Sequence, residues 1–259
     1  IYFYKDGFDH SKFVNIESNK AYEKISNHLN WELKDRYTII IHNSHNDFQQ
    51  TNVINTYLPE GVGGVTELYK NRIVIPFDGS IKDLKHVIHH EMVHLFINDM
   101  LYGGSVKNMI YSNVRFIPLW MNEGLAEYLS SGWDTNSEMW IRDLAINGEF
   151  LELKQLNGYM AYRGGQSVWN FITEKWGEES IAEIFYQIKK SNKIETGFKR
   201  ALGVDMKKLT EQWHQYLKVQ YWPDVSNREN IPDFARQLTN HEKLENTYNV
   251  APAISPDGS

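Results

Sequence analysis

The sequence predicts an α+β fold, with an N-terminal α/β layer of strands and a helix followed by a mainly helical lobe. β-Branched apolar runs at residues 37–42 and 71–77 fall only in the first third of the chain. A nearly all-apolar helical pattern starts at Ile81, and beyond Ser137 helical segments recur between glycine-containing breaks. The expected layout is one domain over residues 1–222, strand-rich at 1–79 and helical at 80–222, then a linker or surface tail at 223–249.

Along the chain, residues 1–4 read as a strand, 18–29 as a helix and 37–42 as a β-branched strand. Gly61, Gly63 and Gly64 make a turn before a buried strand at 71–77. Ser80 and Asp83 form a helix start signal, and Gly103-Gly104 ends the helix that fills 81–101. Pro118 suits the first position of a second, shorter helix that stops near Gly132. Helical segments at 137–146, 165–176, 180–190 and 206–221 complete the lobe. From Pro223 the composition turns polar.

Composition bounds the function. With 259 residues, 41% hydrophobic and 23% charged, the chain is an ordinary globular protein long enough to enclose a partly desolvated site. A net charge of −6 without a run of Lys and Arg speaks against nucleic acid as a partner. No cysteine is present, so disulfides, thiolate nucleophiles and Cys-type zinc sites are all excluded. No apolar stretch reaches the roughly 20 residues of a membrane span. The chain starts at Ile1 rather than Met, which leads us to expect a trimmed N-terminus, such as a removed signal peptide.

The chemistry concentrates on the helix at 81–101. Leu84, Val87, Ile88, Met92, Val93 and Phe96 imply burial on most sides, so His86, His89, His90, Glu91 and His94 need a reason to be there. His90-Glu91-Met92-Val93-His94 is a His-Glu-x-x-His pattern, and residues four apart on a helix share a face, so both imidazoles reach one metal ion. A buried, unpaired Glu91 is costly unless a cation accompanies it, and no basic side chain lies one turn away at Val87 or Leu95. Asn122-Glu123-Gly124-Leu125-Ala126-Glu127 supplies a third ligand from the next helix, with Glu123 and Glu127 on one face. His86 shares the face of His90 and His94, but eight residues of straight helix rise about 12 Å against zinc bonds of about 2 Å, so His86 is expected to be a hydrogen-bonding neighbour. His89 points elsewhere and is expected to be structural.

The pairing of His-Glu-x-x-His with Trp120, Glu123, Gly124, Ala126 and Glu127 resembles the gluzincin metallopeptidases. That resemblance implies a zincin-like fold, one zinc ion bound by His90, His94 and Glu123, and Glu91 as the general base that activates water against a peptide bond. It implies that Glu127 orients a ligand histidine, and that a Tyr or His stabilises the oxyanion. Tyr162, at the mouth of a predicted helix, is our candidate there, with Tyr159 as the alternative. Gly63-Gly64-Val65-Thr66-Glu67 resembles the strand on which gluzincins bind substrate backbone, so Gly64 and Val65 are expected to pair with an extended peptide. In aminopeptidases of the group a Glu of that strand grips the free amino terminus. Glu67 is the similar acid, offset by one residue from their Gly-Gly-x-Glu pattern, and such a slip reverses its face. Endopeptidase action on a peptide or protein substrate is therefore expected, with aminopeptidase action as the alternative. A second alternative is a non-catalytic binding module held together by its metal.

Residues around Asn71-Arg72, Gly103-Gly104-Ser105 and Gly164-Gly165-Gln166 extend the likeness to the peptidase-MA-like domain found upstream of TolB-type β-propellers in bacterial exported proteins. The last ten residues, 250–259, resemble the opening of a propeller blade. The resemblance implies a C-terminal propeller in the same natural chain and an exported, periplasmic or cell-surface location.

Overall fold

The computed structural model describes residues 1–51, 58–67, 71–103, 105–114, 116–229, 231–236 and 253–257. Strands β1 (Tyr2–Phe3), β2 (Thr38–His42), β3 (Val65–Glu67) and β4 (Arg72–Pro76) form one sheet in the order β1-β2-β4-β3. The first three in that order run parallel; β3 pairs antiparallel with β4 at the edge. The helices are α1 (Phe8–Leu29), α2 (His45–Gln49), α3 (Ile81–Tyr102), α4 (Val106–Tyr111), α5 (Leu119–Ser131), α6 (Thr135–Ile146), α7 (Tyr159–Trp176), α8 (Glu179–Ser191), α9 (Ile194–Leu202), α10 (Met206–Ser226) and α11 (Ile231–Phe234). The architecture is thus α+β, mostly helical with a small mixed sheet at the N-terminus. Among the described residues no helix is long and apolar enough to cross a membrane.

Strand alternation divides the core. Ile39, Ile41, Ile73 and Ile75 project into the main core with α1 and α3, whereas Val74 joins Phe48 of α2 and Leu58 on the opposite face. The period of 2 therefore sends Thr66, which pairs with Ile73, towards α3, and sends Val65 and Glu67 away from it. α3 is bounded as its sequence dictates. The Ser80 hydroxyl accepts from the Asp83 amide at 3.2 Å, and Gly103 takes a left-handed φ of +59° to close the last turn.

Several expected boundaries shift. The first helix begins at Phe8 rather than 18, because its buried positions Ser11, Val14, Ser18 and Ala21 mix polar with apolar residues and leave no clear stripe in sequence. The helix expected at 165–176 begins at Tyr159. α2, α4 and α9 were not expected as separate helices. In α9, Gly197 reads as a break in sequence, yet a Cβ there would collide with Ile188 of α8, so the glycine permits contact between the two helices. The tail expected from residue 223 starts later: α10 continues through Pro223 to Ser226, and the Trp222 indole donates to the Ala145 carbonyl at 3.1 Å, which ties this turn to α6. Residues 237–249 of that tail, and 250–252 and 258–259 of the expected blade opening, lie outside the described residues. Among residues 253–257, Pro256 and Asp257 lie in a turn.

The helix crossing that matters most for the site is α5 on α7. A Cβ on Gly165 would fall on the Trp120 carbonyl oxygen, and one on Gly124 would fall on the Gly165 backbone, so the two helices meet backbone to backbone. The buried Trp169 indole donates to the Met121 carbonyl at 3.0 Å and locks the crossing. Gly165→Ala is accordingly expected to destabilise the protein by about 1–3 kcal/mol in urea unfolding. Gly61→Ala, which meets no atom within 4 Å, should stay within about 0.5 kcal/mol of the parent.

Candidate metal centre

α3 stacks His86, His90 and His94 on one face, with ring centroids 5.8 Å and 4.9 Å apart along the series. α5 crosses this face and presents Glu123 and Glu127 to it. Glu123 Oε2 lies 3.2 Å from His90 Nε2 and 3.3 Å from His94 Nε2. Glu127 takes the other side: its Oε1 is 3.0 Å from His90 Nδ1, out of line for a good hydrogen bond, and 3.2 Å from His86 Nε2. The two carboxylates thus address the two nitrogens of one imidazole.

The donor set suits zinc. His90, His94 and Glu123 each offer one ligand atom, and these atoms lie within 4.8 Å of one another. Atoms bound tetrahedrally about 2.0–2.1 Å from zinc are themselves about 3.3 Å apart, which matches both histidine-to-Glu123 spacings. His94 is not explained as a hydrogen-bonded core histidine. Its Nδ1 is buried with no hydrogen-bond partner among the described residues. Its Nε2 faces Glu123.

His86, His90 and Glu127 form a second group of the same geometric kind. We read it as the support of the first, because Arg163 Nη1 already donates to Glu127 Oε2 at 2.9 Å and neutralises that carboxylate. His86 Nδ1 is engaged by Ser131 Oγ at 3.0 Å, so His86 is the neighbour its spacing predicted. His89 points to the back of α3, where Nε2 lies 3.6 Å from Glu17 Oε2.

The electrostatics show how strongly these groups are coupled. Burial alone would depress His90, but Glu123 and Glu127 outweigh it and hold the imidazole up to about 10. Burial likewise pushes Glu123 upward, and His90 and His94 overcome it to hold that carboxyl well below the usual range. Glu127 behaves in the same way through His86 and His90. In the protein without metal, charged imidazole therefore compensates the buried carboxylates.

Glu91 and Tyr162 flank the centre. The Thr66 hydroxyl lies 2.7 Å from Glu91 Oε2 and 2.9 Å from the Glu91 carbonyl, which ties β3 to α3. A Cβ on Gly64 would come within 3.0 Å of Glu91 Oε1, so the carboxylate lies against bare backbone. The Tyr162 ring stacks on His90 at 6.1 Å, and burial together with Glu123 raises its phenol, which therefore stays protonated. Tyr159, the alternative, sits at the cleft mouth with its hydroxyl accepting from Arg163 Nε at 3.0 Å. Gly61 to Gly64, His86, Val87, His90, Glu127, Tyr159, Tyr162 and Arg163 line a cleft of about 480 Å³. Hollows of about 900 Å³ beside His214 and about 810 Å³ beside Trp31 are larger. Neither holds a comparable His and Glu group among the described residues.

The structure thus brings together His90, His94, Glu123, Glu91, Glu127, Tyr162 and Gly64. It sets Val65 and Glu67 apart from them. Val65 packs towards Val74, and buried Glu67 pairs with Arg72 on the face of the sheet away from α3. Sequence reasoning missed Thr66 and Arg163. Thr66 was findable, being on the same strand face as Gly64; nothing local marks Arg163.

A family model described as the Peptidase MA superfamily matches residues 18–219. No curated protein matches the chain.

Two outcomes follow from the geometry. Glu123→Ala should abolish zinc retention, whereas His86→Ala should keep about one ion per chain; metal content by mass spectrometry decides, and the reverse pattern would refute the ligand set. Because His90 is held up to about 10 without metal, zinc must displace its proton at any lower pH. Apparent affinity should therefore drop as pH falls, by up to tenfold per unit for each proton displaced. Calorimetry in buffers of different ionisation enthalpy measures that release, and binding without it at about pH 7 would contradict the charge assignment.

Proposed function

Since the chain belongs to the Peptidase MA superfamily, we propose that it is a zinc-dependent peptidase of the gluzincin type, acting on internal bonds of extended peptides. The observation that carries this reading is the convergence of His90 Nε2 and His94 Nε2 on one Glu123 oxygen, with Glu91 on the same turn of α3. When bound by His90, His94 and Glu123, a zinc ion supplies Lewis acidity and lowers the pKa of water towards 7.

The chain's own groups do the rest. Glu91 accepts the proton of the attacking water and passes it to the departing amine. Thr66 holds Glu91 Oε2 at 2.7 Å, which orients the carboxylate while Oε1 lies beside Gly64. Tyr162, kept neutral by its raised pKa, donates its phenolic proton in a hydrogen bond to the oxygen that gains charge. β3 lies at the end of the sheet, beyond β4. Among the described residues its outer edge pairs with no further strand, which suits an extended substrate paired through main-chain hydrogen bonds.

Endopeptidase action is favoured over removal of N-terminal residues because Glu67, the acid that would hold a free amino terminus, is buried in its pair with Arg72. It also faces away from α3.

A peptide-library digest tests the proposal. Wild type should cleave, and Glu91→Gln should lose cleavage while still binding zinc; equal activity of the two would remove Glu91 from the chemistry. Tyr162→Phe should lower turnover by about 10²–10³ with little change in substrate affinity. An N-acetylated peptide should be cut as readily as its free-amine twin, and cleavage confined to free amino termini would establish an aminopeptidase instead.

A further inference from the structure

Glu127 divides its two oxygens. Oε1 faces His90 Nδ1 at 3.0 Å and His86 Nε2 at 3.2 Å, while Oε2 accepts from Arg163 Nη1 at 2.9 Å. Arg163 comes from α7, the helix that meets α5 backbone to backbone, and its side chain is only 16% exposed. The guanidinium is itself held. Its Nε donates to the Tyr159 hydroxyl at 3.0 Å, and Nη1 also lies 3.2 Å from Ser137 Oγ and 3.4 Å from Gln166 Oε1. Gln166 is tethered in turn by Asp134, to which its amide donates at 2.9 Å. A fixed cation thus grips the outer oxygen of the carboxylate whose inner oxygen meets a metal-ligand imidazole.

We propose that Arg163 is a positioning residue for the metal: by fixing Glu127, whose Oε1 faces His90 Nδ1 at 3.0 Å, it favours the proton on that nitrogen and leaves Nε2 for the ion. This rests on the zinc reading above. The planar fork matters as well as the charge, because Arg163 reaches Tyr159 through Nε and Glu127 through Nη1, two rigidly spaced donor nitrogens where an ammonium has one. The proposal also fixes a sign. A cation near the centre repels a dication, so on charge alone losing Arg163 would tighten zinc binding. Positioning through Glu127 predicts the opposite, since loss of such an outer partner weakens metal binding by about 10–100-fold.

The test measures zinc dissociation constants by chelator competition for wild type, Arg163→Met, Arg163→Lys and Glu127→Gln, and for Arg163→Met combined with Glu127→Gln. Melting of each metal-free protein serves as the control for folding. Arg163→Met is expected to weaken zinc at least about tenfold. Arg163→Lys should recover part of the loss. In the Glu127→Gln background, Arg163→Met should change affinity by less than about twofold, because its route to the metal is already cut. The visible spectrum of the cobalt(II)-substituted protein should shift in Arg163→Met relative to wild type. Unchanged or tighter zinc binding in Arg163→Met, or a full additive loss in the double variant, overturns the proposal and leaves the zinc site standing. A wild type that takes up no zinc overturns both. Should Arg163→Met fail to fold, Arg163→Lys decides: weaker binding with a shifted cobalt spectrum supports positioning, and wild-type behaviour in both overturns it.

Discussion

The structure is arranged around buried charge at the crossing of α3 and α5, where Glu123 and Glu127 face three imidazoles. A carboxylate taken out of water costs several kcal/mol unless a cation and hydrogen bonds accompany it. Here each carboxylate meets two histidines, at 3.0–3.3 Å, and Glu127 also has Arg163. Such an arrangement holds only if the two helices are fixed to within a fraction of an ångström. The rest of the fold provides that fixity. Ser80 and Gly103 define where α3 starts and stops. The isoleucines of β2 and β4 pack beneath it.

The second constraint is steric. α5 cannot carry Glu123 and Glu127 to α3 while Arg163 reaches Glu127 from α7 unless α5 and α7 lie unusually close. Gly124 and Gly165 make that approach possible, and the Trp169 bond to the Met121 carbonyl fixes its register. Gly124 separates the two acids in sequence by no accident of composition: it occupies the α5 position that touches α7, while Glu123 beside it turns to α3. One helix thereby serves the candidate metal centre on one face and a backbone contact on the other. The glycine pair and the charged cluster are a single structural device.

What sequence could reveal follows from these distances along the chain. The α3 boundaries were legible because capping is local, and His90, His94 and Glu91 were legible because four-residue spacing is a property of one helix. Glu123 was reachable through the motif that surrounds it. Arg163 was not, because its partner lies 36 residues away on another helix; Thr66 meets Glu91 across 25 residues. Short helices such as α2 and α4 hold too few residues to show a period. α10 shows the reverse limit. Proline in sequence argues for a stop at 223, yet the helix runs on to Ser226. Near a helix end only one backbone bond is lost, and the Trp222 bond to Ala145 is a tertiary contact that helps hold the last turn.

Strand parity then separates the two carboxylates closest to the question of what the cleft accepts. On β3, Thr66 and the preceding Gly64 face α3, so they meet Glu91; Glu67, one residue on, faces the other way and finds Arg72. A single-residue offset therefore decides whether an acid stands beside the candidate metal ligands or behind the sheet. Were Glu67 on the α3 side, its charge would add to those of Glu91, Glu123 and Glu127 and would favour a cationic amino terminus in the cleft. With Glu67 turned away and neutralised, the β3 side of the cleft is bare glycine backbone flanked by Val62 and Val87. On the proposed reading, such a wall would suit the peptide main chain and apolar side chains rather than a terminal charge. The same parity lets Thr66 meet Glu91 from the strand side. Its hydroxyl donates to the carboxylate from the strand side, leaving the α5 side of α3 to Glu123 and Glu127.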